Sequence, residues 1–238
     1  MLKTDQDPMG KAIFNYLENG KAEKLYVYSD ISDRDEIPIK YLFRSFAAMP
    51  AIEKTALKLC KGKVLDVGAA AGSHSLWLSK KGMYVTSIDI SDYSVQAMKK
   101  RGVVDPQCAD FFKMPKSIKF DTLLFLMNGI GIAETLEKLP KFFKKCNDLL
   151  NSNGQILLDS SNIEYMFDEE DEKPEGIYYG QVKYILRYND ISSKRFNWLF
   201  IDFETLKNEA KKYGFECTKV LDGSHFDYLA KLTRINSR

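Results

Sequence analysis

Features of secreted, membrane-bound and metal-binding proteins are missing from this sequence. Its 4 cysteines form no CxxC pair and no cluster with the 2 histidines at zinc spacing, so we expect reduced thiols and no metal site. No apolar run approaches the length of a membrane span, and residues 1–10 contain no apolar signal core. We therefore expect no membrane association and a cytoplasmic location.

An excess of charge of one sign is missing as well. The sequence carries 35 Lys and Arg residues against 33 Asp and Glu residues, which leaves a net charge of +2. A balance this close produces no general field that would attract nucleic acid or an anionic membrane. We therefore expect no nucleic-acid partner.

What the sequence does contain is a distinctive stretch at residues 64–78, VLDVGAAAGSHSLWL. The apolar run 64–67 predicts a buried strand, 68–72 a loop of small residues, and Ser73 the start of a helix. Such a strand, loop and helix bring a row of free backbone N–H groups to the carboxyl edge of a parallel sheet, where ligands bind in open α/β folds. Glycine in the loop lets a ligand approach the main chain closely.

Strand and helix patterns alternate through the middle of the chain. Further strands are predicted at 84–89, 103–108, 120–127 and 155–159. Five strand–helix units in succession predict a doubly wound sheet. In the last third, a hairpin pattern at 182–203 is followed by a helix at 203–213 and strands at 216–221 and 227–232, and the acidic run 168–175 predicts a solvated loop.

The residues before the core are predicted to be mainly helical. Asp7 and Pro8 suit the N-cap and first position of a helix over 8–19 that ends at Gly20. A second helix is predicted over 41–49 and a third over 50–62. About fifty residues are too few for an independent domain, so they are interpreted as a cap folded against the core.

Residues 63–132 resemble the class I S-adenosylmethionine-dependent methyltransferases. Motif I of that family is an acidic residue followed by x-Gly-x-Gly-x-Gly, and the matching positions here are Asp66, Gly68, Ala70 and Gly72. Ala70 replaces the middle glycine and adds one methyl group where the cofactor would pass. The resemblance implies S-adenosylmethionine as the cofactor and methyl transfer as the activity.

The resemblance also implies an architecture. We expect an α/β fold with a doubly wound, seven-stranded Rossmann-like sheet that ends in an antiparallel C-terminal hairpin, with a helical N-terminal cap and an inserted β-hairpin. The chain would be a single domain over 1–238. Its parts would be the cap at 1–50, the cofactor-binding core at 51–160, the inserted hairpin covering the substrate at 161–203, and the last helix and strands at 204–238.

Acidic residues at three successive strand ends strengthen the resemblance. Asp89 stands 23 residues after Asp66 and would accept the ribose hydroxyls, while Asp110 stands 21 residues further on and would hold the adenine amino group. The cofactor-binding residues implied by the family are Asp66, Gly68, Ala70, Gly72, His74, Asp89, Ile90, Asp110, Phe111 and Asn128.

Several of these residues have structural alternatives that the sequence leaves open. Asp66 would be structural, accepting bonds from loop N–H groups. Asp89 could share a helix N-cap role with Ser91. Asp110 could be a turn acid and Asn128 a satisfied turn amide.

No residue stands out as a catalytic base. Methyl transfer is an in-line displacement in which the cofactor supplies the leaving group, so the protein mainly positions the acceptor and excludes water. The residues proposed to line the pocket are Asn128, Tyr188, Trp198 and Arg44, with core, strand-pair or surface ion-pair roles as alternatives. Metal-dependent relatives place an Asp where Asn128 stands, so no metal is expected.

The long cap and aromatic hairpin favour a small-molecule acceptor, by analogy with glycine/sarcosine-type and natural-product methyltransferases. Two other functions compete. A non-catalytic S-adenosylmethionine-binding protein is one; an NAD(P)-dependent oxidoreductase is the other, although two of its three fingerprint positions, held by Ala70 and Ser73, fail the pattern. RNA methylation is disfavoured by the charge balance. The sequence leaves the acceptor atom, any base and the oligomeric state open.

Overall fold

The computed structural model describes residues 2–167 and 173–235. The chain divides into two compact units. The first unit comprises Met1–Met49, Lys63–Met114 and Lys183–Phe196, and the second comprises Pro50–Gly62, Pro115–Val182 and Asn197–Arg238. The grouping of 1–238 into one domain with four parts stays a prediction. Residues 168–172 of the predicted acidic loop lie outside the described residues.

Six α-helices and twelve strands are found in the described residues. The helices are α1 (Pro8–Asn19), α2 (Ala51–Leu59), α3 (Ser73–Lys80), α4 (Asp92–Arg101), α5 (Leu139–Leu149) and α6 (Phe203–Lys212). The strands are β1 (Leu25–Ser29), β2 (Asp35–Ile37), β3 (Val64–Val67), β4 (Val85–Asp89), β5 (Asp105–Cys108), β6 (Phe120–Phe125), β7 (Leu150–Ser161), β8 (Gln181–Tyr188), β9 (Ile191–Ser192), β10 (Phe196–Leu199), β11 (Phe215–Asp222) and β12 (Asp227–Arg234).

The larger of two sheets has seven strands in the order β11-β12-β7-β6-β3-β4-β5. Strands β3, β4 and β5 pair in parallel, as do β6 and β7. Strand β12 pairs antiparallel with both β7 and β11. The predicted fold class, an α/β protein with a seven-stranded sheet that ends in an antiparallel hairpin, is confirmed.

Helix α1 follows the sequence signals closely. Asp7 accepts a hydrogen bond from the Gly10 N–H at 2.9 Å, Pro8 occupies the first position, and Gly20 ends the helix with φ 70°. Proline suits this position because the first N–H of a helix has no partner within it, and glycine tolerates the left-handed conformation at the end. The predicted bounds of 8–19 are therefore correct.

Two helix predictions are wrong in their bounds or type. Residues 41–49 contain no α-helix; two 3₁₀-helices lie at Ile39–Phe43 and Phe46–Ala48. The sequence also predicts a helix over 133–150 that is interrupted or offset near Pro140. The α-helix begins at Leu139, after 3₁₀-helices at Gly129–Ala133 and Leu136–Lys138. Pro140 fits this start, because its missing N–H falls in the first turn of the helix, where an N–H has no partner within the helix.

A second sheet in the order β10-β8-β1-β2, with β9 paired to β8, was not expected. Leu25 of β1 lies opposite Tyr188 of β8, so the N-terminal segment is helical only in part. The sequence could show that 182–188 alternates as a strand does, but the partner of that strand lies more than 150 residues away. Long-range pairing of this kind leaves no local signal.

Each unit has its own apolar core. In the first unit, Ala12 and Ile13 of α1 pack with Leu25, Leu42 and Tyr188, all of them buried. In the second unit, buried phenylalanines pack ring to ring: Phe142 lies 5.1 Å from Phe125 and 5.4 Å from Phe143. Over residues 2–167 and 173–235, no helix has the length and apolar character needed to cross a membrane.

Candidate cofactor site

The loop between β3 and α3 takes backbone conformations that favour glycine. Gly68 has φ 71° and Gly72 has φ 78°. A Cβ at Gly72 would lie 2.6 Å from Val103 Cγ2, so this glycine is required for packing. A Cβ at Gly68 would meet no atom within 4 Å. The main chain at Gly68 therefore faces open space that a ligand can enter.

Ala70 also has a left-handed conformation, with φ 50°. This region costs an L-residue with a Cβ about 1 kcal/mol relative to its usual conformations. The family motif has glycine here, which avoids that cost. The substitution noted in the sequence therefore affects backbone strain as well as the space beside the loop.

The loop N–H groups are mostly used inside the protein, and the prediction of a row of free N–H groups is wrong. Gly68 and Ala69 donate to the carbonyl of Ile88, and Gly72 donates to the carbonyl of Ala69. Ala70 donates to the Asp89 carboxylate at 3.0 Å. Nearly all buried main-chain groups need a partner, and the end of β4 supplies it here.

Asp89 is the last residue of β4 and is half-buried beside this loop. Its Oδ2 accepts from Ala70 N, and its Oδ1 accepts from Ser91 N at 2.9 Å. Burial raises the pKa of this carboxyl to about 6, and the charges of Asp7 and Asp66 act in the same direction. Each oxygen can accept a further hydrogen bond, so an ionised Asp89 can accept hydrogen bonds from the hydroxyl groups of a ligand.

The N-cap of α4 is Ser91, whose hydroxyl accepts from the Ser94 N–H at 3.0 Å. This settles the alternative role considered for Asp89, because the cap is provided by the serine. The carboxylate of Asp89 is thus directed at the loop and at the Ser91 N–H, and it caps no helix.

Asp66 is buried below the loop, and its partners match those expected only in part. It accepts the Ser75 hydroxyl at 2.5 Å, and Ser75 in turn accepts from the Ser87 hydroxyl at 2.7 Å. Burial raises the pKa of Asp66, while the neighbouring His74 acts to lower it. Asp66 also accepts the backbone N–H of Ser75, so it ties β3 to the first turn of α3. Sequence reasoning missed the serine pair, although it expected Asp66 to accept backbone N–H groups.

His74 is buried on α3 and acts to lower the pKa of the neighbouring Asp66 carboxyl. A buried histidine beside a buried carboxylate can serve a structural role by stabilising that carboxylate. Its predicted contact with the cofactor stays a prediction.

The predicted adenine-side residues lie at the ends of β4 and β5. Ile90 is exposed, at 44% of its maximum, and Phe111 is buried. Asp110 accepts from the Phe112 N–H at 2.9 Å and lies 3.6 Å from the Lys113 ammonium. The turn-acid role that the sequence left open for Asp110 is therefore present, while its place after β5 also suits the family position.

Arg101, at the end of α4, braces the loop and was missed from the sequence. Its guanidinium donates to the carbonyl of Ala71 and, at 3.2 Å, to the Ser73 hydroxyl. Burial lowers the pKa of Arg101. Ser73 donates onward to the carbonyl of Leu42 at 2.7 Å. A charged residue in the last turn of a helix is common, so the sequence offered no signal for this role.

In the second unit, Asn128 is held on both sides of its amide. Its Oδ1 accepts from the Ser160 hydroxyl at 2.8 Å, and its Nδ2 donates to the carbonyl of Leu199 at 3.1 Å. Its own N–H donates to Asp159 at 2.9 Å. These bonds favour the satisfied turn amide over a side chain open to a ligand. Burial raises the pKa of Asp159 to about 7.

Gly129 and Gly131 follow Asn128 in the chain, and other side chains of the protein approach both of them closely. A Cβ at Gly131 would overlap the indole of Trp198, and one at Gly129 would lie 2.8 Å from Phe125 Cβ. Trp198 therefore packs on the 3₁₀-helix that follows β6. Trp198 supports the main chain there, and its pocket-lining role stays a prediction.

Arg44 and Tyr188 are both buried in the first unit. Arg44 stacks on Tyr41 at 3.7 Å and donates to the Tyr41 carbonyl, and its burial contradicts the surface location considered for it. The Tyr188 hydroxyl accepts from Asn15 at 3.0 Å, within the apolar core. The structure thus favours the core role for Tyr188 over a pocket-lining one. Within the described ranges, no three His, Cys, Asp or Glu side chains group as metal ligands would.

Comparisons with known proteins agree with this geometry. Residues 65–158 match the family model described as "Methyltransferase domain". The chain is 44% identical to a SAM-dependent methyltransferase from Bacteroides fragilis solved in complex with S-adenosyl-L-homocysteine. That match covers 99% of this chain and 98% of the other, with a TM-score of 0.93.

Two curated relatives are more distant. An uncharacterized methyltransferase of Staphylococcus carnosus is 24% identical over 177 residues, which are 73% of this chain and 79% of that protein. The glycine/sarcosine N-methyltransferase of Aphanothece halophytica is 25% identical over 186 residues, which are 74% of this chain and 70% of that protein.

Proposed function

Because the chain belongs to the S-adenosylmethionine-dependent methyltransferases, as its 44% identity to one of them over nearly the whole length shows, we propose that it methylates a small molecule. The reaction would be a direct in-line displacement at the methyl carbon, without a metal ion. The single observation that carries the proposal is the pairing of the open Gly68 loop with the Asp89 carboxylate at the end of β4.

The residues of the first unit fit the cofactor. Gly68 offers main chain with open space beside it, which suits the close passage of a flat or extended ligand. Asp89 offers a carboxylate whose two oxygens can accept hydrogen bonds from two neighbouring ribose hydroxyls. Ile90 offers an exposed apolar surface next to it for the adenine ring.

We assign these residues the following work. The bound cofactor would supply an activated methyl group on a sulfonium sulfur. Asp89 would hold the ribose, and Arg101 would keep the loop in place through the Ala71 carbonyl. Gly72 would allow the loop to pack closely against Met98 of α4 and against Val103. The remaining cofactor-binding residues proposed are Asp66, Ala70, His74, Asp110 and Phe111, with Asp66 acting through α3. Asn128 is left out because its amide is bonded to Ser160 and Leu199.

A small-molecule acceptor is supported by two observations. The near-neutral charge of the chain provides no general attraction for nucleic acid. The relative from Aphanothece halophytica is by its name an enzyme that methylates amino acids, although it is only 25% identical. A cytoplasmic location is proposed because none of the four cysteines forms a disulfide.

Turnover tests the proposal. The protein would be incubated with S-adenosylmethionine and a panel of amines, carboxylic acids and phenols, with and without a chelator, and S-adenosylhomocysteine would be measured. We expect product with at least one class and no effect of the chelator. Tight S-adenosylhomocysteine binding without turnover on any class would favour the non-catalytic binding protein instead, and loss of turnover with chelator would contradict the metal-free reaction.

A further inference from the structure

Helix α1 is connected to the proposed ribose-binding carboxylate by one serine. Asp7, the buried N-cap of α1, accepts the Ser91 hydroxyl at its Oδ2 and the Gly10 N–H at its Oδ1. The Ser91 N–H donates to Asp89 Oδ1 at 2.9 Å. The two carboxylates are therefore bridged by the donor groups of a single residue, although Asp7 lies 84 residues before Ser91.

Helix α1 packs closely against this serine. A Cβ at Gly10 would overlap both the Ser91 hydroxyl oxygen and Asp7 Oδ2, so any larger residue would displace this pair. Along the same helix pair, the rings of Phe14 and Tyr93 lie 5.8 Å apart, and Lys100 pairs with Glu18 at 2.7 Å. Before the helix, the Leu2 N–H donates to the Ile90 carbonyl at 3.0 Å. The N-terminal segment thus contacts both residues that flank Asp89 on its carboxyl side.

Capping alone does not explain the bond from Ser91 to Asp7. The cap of α4 uses a lone pair of the Ser91 hydroxyl, which accepts from Ser94, and leaves its proton free to go elsewhere. Directing that proton to Asp7 fixes the rotamer of Ser91 and brings two carboxylates into the same buried region. Like charges this close disfavour each other, so the arrangement costs stability.

We propose that Asp7 is a positioning residue for the cofactor: acting through Ser91, the N-terminal helix sets the orientation of the Asp89 carboxylate. The inference rests on the proposed function, because it takes Asp89 as the ribose acceptor. By linkage, a bound cofactor in turn favours the docked position of α1.

The electrostatics of the pair support a specific pH response. The Asp7 charge raises the pKa of Asp89, and burial raises the pKa of Asp7 itself. The other titratable groups that act on this pair are Asp66 on β3, Asp92 on α4 and Cys108 at the end of β5. An ionised Asp89 is the form that accepts ribose hydroxyls, so affinity falls as the pH drops through about 6.

Calorimetric binding of S-adenosylhomocysteine between pH 5 and pH 8.5 tests the proposal on the full chain. Asp7→Ala removes the acceptor of the Ser91 hydroxyl and is expected to weaken binding about tenfold at pH 8. Asp7→Asn keeps an acceptor oxygen but loses the charge, so binding at pH 8 stays close to wild type. Its low-pH loss of affinity moves to lower pH, on the order of half a pH unit.

Two further variants separate positioning from a general loosening of the helix. Gly10→Ala pushes on the Ser91 hydroxyl without changing any charge and is expected to weaken binding even if Asp7→Ala fails to fold. Glu18→Gln breaks the exposed ion pair with Lys100 at the other end of α1 and is expected to leave the binding constant within twofold.

The outcomes distinguish this inference from the proposed function. Wild type that fails to bind S-adenosylhomocysteine at any pH overturns the proposed function. If wild type binds but Asp7→Ala and Gly10→Ala bind equally well at pH 8, the positioning role of Asp7 is overturned and the proposed function stands. Equal losses of affinity in Glu18→Gln and Gly10→Ala would also overturn the inference. They would show that Asp7 acts only by helping α1 to pack.

Discussion

Asp89 and Asp159 occupy similar positions in the two units and differ in what surrounds them. Each is half-buried in a strand, β4 or β7, and accepts backbone N–H groups from a nearby turn. Burial raises the pKa of Asp89 to about 6 and that of Asp159 to about 7. From burial and pKa alone, the two carboxylates would be ranked as equal candidates for a functional site.

Their surroundings separate them. The loop beside Asp89 is open at Gly68, where a Cβ would meet no atom. The turn beside Asp159 is filled from within: Asn128 is bonded to Ser160 and Leu199, and Trp198 packs on Gly131. A perturbed carboxylate marks a binding site only where the protein leaves room for a ligand. We therefore expect Asp89 to act in binding and Asp159 to act in folding.

The largest expected effect is on Asp89. Asp89→Asn removes the charge that strengthens the hydrogen bonds to the ribose, which are worth about 1.5–3 kcal/mol each. We expect S-adenosylhomocysteine affinity to fall about a hundredfold by calorimetry at pH 8. Asp105→Asn is the matched control, because Asp105 begins β5 and bonds Thr86 at the opposite end of the strands. Unchanged affinity in Asp89→Asn would remove the ribose assignment.

The next effect concerns the filled turn of the second unit. Gly131→Ala places a methyl group into the indole of Trp198, and overpacking of this kind costs about 2 kcal/mol. We expect a lower urea midpoint for unfolding, followed by tryptophan fluorescence. The double variant with Trp198→Ala should lose less stability than the sum of the two single losses, because removing the indole makes room for the methyl group. Strictly additive losses would show that the two side chains do not meet.

The smallest expected effect is a pH dependence. Because the folded-state pKa of Asp159 is raised from 3.8 to about 7, the carboxyl favours folding most below the unfolded value. That contribution is lost as the pH rises through about 7. Partial solvent exposure of the carboxyl weakens this effect. We therefore expect the free energy of unfolding of wild type to fall by about 1 kcal/mol between pH 5 and pH 8.5.

Asp159→Asn should lack that loss, so the comparison is between slopes and not between absolute stabilities. Denaturant unfolding at several pH values measures both. A wild-type slope no steeper than that of the variant would show that Asp159 does not titrate in this range, and the contrast with Asp89 would then need another basis.

Local patterns predicted the strands of the central sheet and the loop at residues 68–72. The apolar run before Gly68, the small residues up to Gly72 and the aspartate ending the next strand all follow from short-range chemistry. Strand periodicity, helix caps and glycine conformations act over a few residues, so they are visible in the order of amino acids. The same is true of α1, whose first and last residues are fixed by Pro8 and Gly20.

Contacts between distant segments were beyond such patterns. The pairing of Leu25 with Tyr188, the bond from Ser91 to Asp7 and the packing of Trp198 on Gly131 join residues 67 to 163 positions apart. The partners of the loop N–H groups could not be predicted either. Gly68 and Ala69 donate to a carbonyl at the end of β4, so these N–H groups are not available to a ligand. A sequence specifies which groups need partners, but which partner each group receives depends on which segments the folded chain brings together.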